Sequence, residues 1–90
     1  MSVKVRVQKN LQHIAGVPEV VEVSGHTVGE CLNQFLEKYP EIEKKVSGRS
    51  KRLLDFVEVF INGKSAYPDE ESKPVKDGDE IHIMLMFAGG

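Results

Sequence analysis

The ninety-residue chain holds one cysteine, Cys31, so it can form neither an internal disulfide nor a zinc site built on four cysteines. A lone thiol fits a reducing compartment. It has no surplus of positive charge, because twelve basic residues against fourteen acidic ones leave a formal charge of −2. That balance lacks the basic footprint of a phosphate-backbone binder, and no nucleic-acid partner is expected. Tryptophan and low-complexity runs are absent, and no apolar stretch approaches the roughly 18 residues of a membrane span. The opening MSVKVRVQKN lacks the pattern of a secretory signal, so the expected location is cytoplasmic, with no membrane partner. No phosphate-binding glycine loop, HExxH pair or paired cysteines occur, and His13, His26 and His82 are scattered without ligand spacing. The chain is expected to bind no metal and no cofactor of its own. Ninety residues make one domain, with little room for a cleft between lobes.

What is present reads as alternating strand and helix patterns. Val3, Val5 and Val7 alternate with Lys4, Arg6 and Gln8, the period of a half-buried strand. A polar connection with Gly16 and Pro18 follows, with Leu11 and Ile14 expected to tuck it down. Glu19 to Val23 then reads as a second strand, although Val20 and Val21 cannot both face inward. The period changes at Thr27-Val28-Gly29-Glu30, a capping box. The helix it opens carries Val28, Cys31, Leu32, Phe35, Leu36 and Tyr39 on one stripe and stops at Pro40. A weaker turn over 41–46 offers Ile42 and Val46. Overlapping its end, the basic cluster Lys44, Lys45, Arg49, Lys51 and Arg52 reads as a solvated loop, with partner docking as the alternative. Phe56 to Asn62 is a third strand, Asn62-Gly63 a hairpin turn, Lys64 to Ala66 a short return, and Glu80 to Phe87 a last strand after Asp77-Gly78-Asp79. One main helix across a mixed sheet of four to five strands is an α+β roll, with the first and last strands as central neighbours.

The last strand runs into Phe87-Ala88-Gly89-Gly90. Glycine has no Cβ, so such a tail can thread a narrow tunnel and present its carboxylate to a nucleotide held by another protein. A carboxylate is a poor electrophile until it becomes a mixed anhydride with phosphate, and this chain has no group that could make one. Activation must occur on a partner.

The leading alternating strand, Thr27 to Glu30, FVEVFING (Phe56 to Gly63), DGDEI (Asp77 to Ile81) and the ending AGG (Ala88 to Gly90) together resemble the MoaD/ThiS family of ubiquitin-like sulfur carriers. The resemblance covers essentially the whole chain. It implies a β-grasp fold over residues 1–90 with a flexible Gly-Gly tail at 87–90, and a protein that is carried to enzymes rather than being one. It also implies an E1-like adenylating enzyme that uses ATP to activate Gly90, with Gly89 needed for threading, followed by displacement of AMP by sulfur to leave a thiocarboxylate. The nearest sub-type is the small subunit of molybdopterin synthase, with the large subunit as a further partner. Met86-Phe87 stands where that sub-type commonly has proline and valine, which keeps open a carrier for cysteine, thiamin-like or other sulfur metabolism. A protein modifier forming isopeptide bonds through Gly90 and a passive β-grasp binding module are the remaining alternatives.

Strand parity gives the surface that would meet the partner. If Val57, Val59 and Ile61 face the helix, Glu58 and Phe60 face away, as do His82, Met84 and Met86. Phe60, Met84 and Met86, rimmed by Arg6, Glu58 and His82, form an apolar patch on the open face, with Phe87 and Ala88 continuing it into the tail. Cys31, on the apolar stripe, reads as a small buried hydrophobe.

Overall fold

The computed structural model describes residues 2–47 and 52–86, and the side chains of 46 and 47 are not described. Expectations that concern 48–51 or 87–90 therefore lie outside the described residues. Strands β1 (Val3–Val7), β2 (Val20–Val23), β3 (Val57–Ile61), β4 (Lys64–Ser65) and β5 (Glu80–Leu85) form one sheet in the order β2-β1-β5-β3-β4. The first and last strands are the parallel central pair, and every other pairing is antiparallel. This is the mixed α+β sheet expected from the sequence, with five strands. Helices α1 (Lys9–Ala15), α2 (Val28–Lys38) and α3 (Glu41–Ser47) join short 3-10 turns at Leu53–Asp55 and Glu70–Ser72.

Helix α2 forms where the capping box predicts, with one difference in the hydrogen bonds. The Glu30 N–H donates to Thr27 Oγ1 at 3.2 Å, while the Glu30 carboxylate accepts from the His26 N–H at 2.7 Å rather than from Thr27 itself. Val28, Cys31, Leu32 and Phe35 are buried, and Leu36 and Tyr39 pack partly against the same core. They share one core with Val3, Val5, Val7, Val21, Val23, Val57, Val59, Ile81 and Ile83 of the inner sheet face, lying nearest β1 and β2. Val21 pairs with Val5 and faces in, so Val20 is the valine turned outward.

The expected polar connection after β1 is instead helix α1. Leu11 is fully buried and Ala15, one turn on, is buried beside it, while Ile14 is 46% exposed and tucks nothing down. Gly16 ends this helix with φ 68°, the left-handed geometry of a C-terminal glycine stop. The weak turn after Pro40 is likewise a true helix, anchored by a fully buried Ile42. The last strand is shorter than the run to Phe87, ending at Leu85. Asn62 and Gly63 both have positive φ, as the hairpin turn requires.

The DGDEI segment is a structural clasp. Asp79, 8% exposed, accepts from Asn62 Nδ2 at 3.0 Å and from the Lys76 N–H at 2.9 Å, and these bonds hold its carboxyl below the usual carboxylate range. Asn62 Oδ1 in turn accepts from the Glu80 N–H at 3.0 Å. Thus the turn before β5 is locked to the turn after β3. At the opposite edge, Lys38 Nζ donates to the Glu22 carbonyl and Gln34 Oε1 accepts from the Ser24 N–H, so side chains from α2 occupy groups along the free edge of β2.

Candidate partner-docking face

All three helices feed one core on one side of the sheet, and among the described residues no helix covers the other side. Strand alternation puts Lys4, Arg6, Glu58, Phe60, Glu80, His82 and Met84 there. Phe60 stands opposite His82 and Glu58 opposite Met84, so Phe60 and Met84 are diagonal neighbours across β3 and β5. Both are half-buried, neither belongs to the core, and Met86 is 46% exposed. The structure therefore brings Phe60, His82, Met84 and Met86 onto one face. Glu58, expected at the rim, lies directly across from Met84.

One flank of this face is electrostatically closed. Arg6 donates to Glu19 at 2.8 Å and, through Nε and Nη2, to both oxygens of Glu80 at 3.1 and 3.3 Å. The hydrogen bond to Arg6 holds the Glu80 carboxyl below its ordinary value, outweighing the opposing effect of partial burial. The same bonds push the Arg6 guanidinium upward. Arg6 is thereby neutralised in place and is not a loose cation.

Three hydrogen bonds fix the end of β5. Gln8 donates its N–H to the Ile83 carbonyl at 3.1 Å and accepts from the Leu85 N–H through Oε1 at 2.8 Å. From the other side, the Met86 N–H donates to the Phe56 carbonyl at 2.8 Å. Gln8 and Phe56 thus hold Leu85 and Met86 at the root of the segment 87–90. The sequence places Gln8 at the end of the first strand pattern and Phe56 at the start of the third, but gives no sign of this role for either. Phe87, Ala88, Gly89 and Gly90 lie outside the described residues.

Other candidates take structural roles. Cys31 is fully buried in the core, and burial pushes its thiol pKa up, which suits a hydrophobe and not a nucleophile. Of the basic cluster read as a loop, Lys44 and Lys45 lie instead in helix α3, and Arg52 pairs with Glu71 and opens the 3-10 turn at Leu53. Among the described residues no three His, Cys, Asp or Glu side chains are grouped to hold a metal, and no helix is long and apolar enough to cross a membrane.

A main helix lying across a mixed five-stranded sheet, whose opposite face carries Phe60 and Met84 among charged residues, defines a ubiquitin-like β-grasp protein. The ThiS family profile matches residues 5–90, and the chain belongs to that family of ubiquitin-like sulfur carriers, which are carried proteins and not catalysts. It is 32% identical over 83 residues to small archaeal modifier protein 1 of Haloferax volcanii, an alignment covering 90% of this chain and 92% of the relative. The crystal structure of that modifier superposes with a TM-score of 0.79 at 27% identity, covering 100% of both chains. A chain of the Amycolatopsis orientalis BexX/CysO complex superposes at 0.75, again with 27% identity, covering 98% of this chain and 99% of the other.

Proposed function

We propose that the protein carries sulfur as a thiocarboxylate on Gly90. The observation that carries this reading is the family match, which runs through Gly89 and Gly90. In the first step the Gly90 carboxylate attacks the α-phosphorus of ATP on an E1-like adenylating partner and expels pyrophosphate. A hydrosulfide-equivalent donor then attacks the acyl carbon, forming the C–S bond as the C–O bond to AMP breaks. The chain's own contribution is to present the electrophile. Gly89 offers no side chain to obstruct entry into the partner's site. Phe60, His82, Met84 and Met86 dock the partner, with Phe87 and Ala88 continuing the contact, and the thioether side chains suit a face that must meet more than one protein in turn. In this reading ATP belongs to the activating enzyme.

The sulfur goes to cofactor biosynthesis, with a partner like the large subunit of molybdopterin synthase, or to cysteine or another sulfur metabolite. The likeness to a chain of the BexX/CysO complex supports a carrier that works with protein partners. A second use of the same activated Gly90, transfer to a lysine amine of a target protein, is favoured by the 32% identity to an archaeal modifier protein.

Incubation with the cognate activating enzyme, ATP and a sulfur donor, followed by intact mass measurement, should show one oxygen replaced by sulfur. Because methionine oxidation mimics that change nominally, thiol-selective alkylation and fragment mapping must place it on Gly90. An unmodified Gly90 in the presence of an active enzyme refutes the reading. Mass additions on other proteins mark the modifier activity.

A further inference from the structure

The bare sheet face does not end at Met86. Beside it lies a groove of about 260 Å³ lined by Glu58, Val59, Ser65, Tyr67, Glu70 and Met86. Tyr67 is 77% exposed, the most exposed large hydrophobic residue among those described, and Met86 is another. Exposed apolar side chains that share one groove mark a contact surface more strongly than scattered ones.

Charge selects the occupant. Among the described residues neither Glu58 nor Glu70 forms an ion pair, and of the glutamates without one these two share the groove with Tyr67 and Met86. Two unneutralised carboxylates flanking an aromatic face and a thioether make a seat for a guanidinium or ammonium group on an apolar stem. A second copy of this chain in a two-fold contact over this groove would instead add two more carboxylates to the same interface. Distance selects which partner. From Met86 to Gly90 the chain spans at most about 14 Å, so whatever holds the Gly90 carboxylate in a reactive site must press against the surface around Met86.

We infer that the groove between Tyr67 and Met86 receives an arginine- or lysine-bearing segment of the protein that acts on Gly90. This rests on the reading of Gly90 above for the identity of the partner, and on the groove alone for its chemistry. The test has two arms. In the first, the full chain is titrated with acetyl-Leu-Arg-Leu-Arg-amide and followed by amide NMR, with the citrulline analogue as a neutral control of the same shape. The arginine peptide should move the signals of Glu58, Tyr67, Glu70 and Met86. It should bind at least about fivefold more weakly to the Glu58→Gln/Glu70→Gln variant, the size expected of two exposed charge pairs. Equal affinity for the citrulline peptide, shifts centred elsewhere, or no binding at millimolar peptide overturns the inference. In the second arm the double variant should raise the KM of the cognate activating enzyme for the carrier by a similar factor, more at low salt than at high. An unchanged KM removes the groove from the activation complex. Peptide binding in the groove alongside a wild-type chain that is never adenylated overturns the Gly90 reading and leaves the groove as a cationic-peptide site.

Discussion

Met84→Lys separates the folding role of the open face from its docking role. Complete burial of a methionine side chain stabilises by about 1.5–3 kcal/mol. Met84 is already half-buried in the free protein, so about half of that, roughly 1 kcal/mol, remains to be gained on docking. Lysine forfeits this gain and brings an ammonium group that must be desolvated against an apolar partner, adding about 1–2 kcal/mol. Together these predict a loss of about 2–3 kcal/mol, or roughly 30- to 150-fold in affinity. The fold should scarcely notice, because Glu58 is the direct cross-strand partner of residue 84. An opposite-charge pair there contributes about 0.2–1 kcal/mol, which offsets the lost packing. The assay is ATP–pyrophosphate exchange by the cognate activating enzyme at varied carrier concentration, with thermal unfolding measured on the same preparations. KM should rise by more than about tenfold while Tm stays within a few degrees. An unchanged KM in a normally folded variant would show that partners do not touch this face.

Other perturbations probe the scaffold. Phe35→Ala removes a fully buried ring beneath the sheet and should cost about 3–5 kcal/mol in urea unfolding. Gly25→Ala places a Cβ 2.9 Å from both Cys31 Sγ and Glu30 Cβ, and should cost about 1–3 kcal/mol because the buried thiol cannot retreat. Gln8→Ala strips the Leu85 N–H of its acceptor, so that amide should exchange faster with solvent while stability falls by only about 1 kcal/mol. Glu71, Asp79 and Glu80 all have carboxyl pKa values lowered by hydrogen bonds in the folded state. Their stabilisation is therefore complete above the ordinary carboxylate range and is lost as pH falls through their lowered values. Acid unfolding should steepen below about pH 4, and Arg6→Ala, which returns Glu80 toward its ordinary value, should flatten that limb.

Much of this molecule follows from local pattern alone. The alternation of Val3, Val5 and Val7, the Thr27 cap, the stripe from Val28 to Tyr39 and the Asn62-Gly63 turn each act over a few residues and form as their patterns dictate, except that the returning Glu30 bond goes to the His26 N–H. Parity then assigns Phe60, His82, Met84 and Met86 to one face, because the period of a strand leaves no other choice. Helix α1 was illegible for the converse reason. Seven residues without a side-chain cap have little helical stability of their own, and only burial of Leu11 and Ala15 holds them there. Whether Val20 or Val21 turned inward was likewise left to the pairing with β1.

The near-absence of cysteine, of excess charge and of catalytic motifs comes from the sequence by itself, as does the Gly-Gly pair that gives this chain its proposed chemistry. Tertiary structure decided what surrounds the root of that segment. The Leu85 N–H finds Gln8, 77 positions away, and the Met86 N–H finds the Phe56 carbonyl. Glu58 and Glu70 come to flank one groove with Tyr67 and Met86. Such contacts depend on where separate strands and turns meet in space, and short-range periodicity carries no record of that.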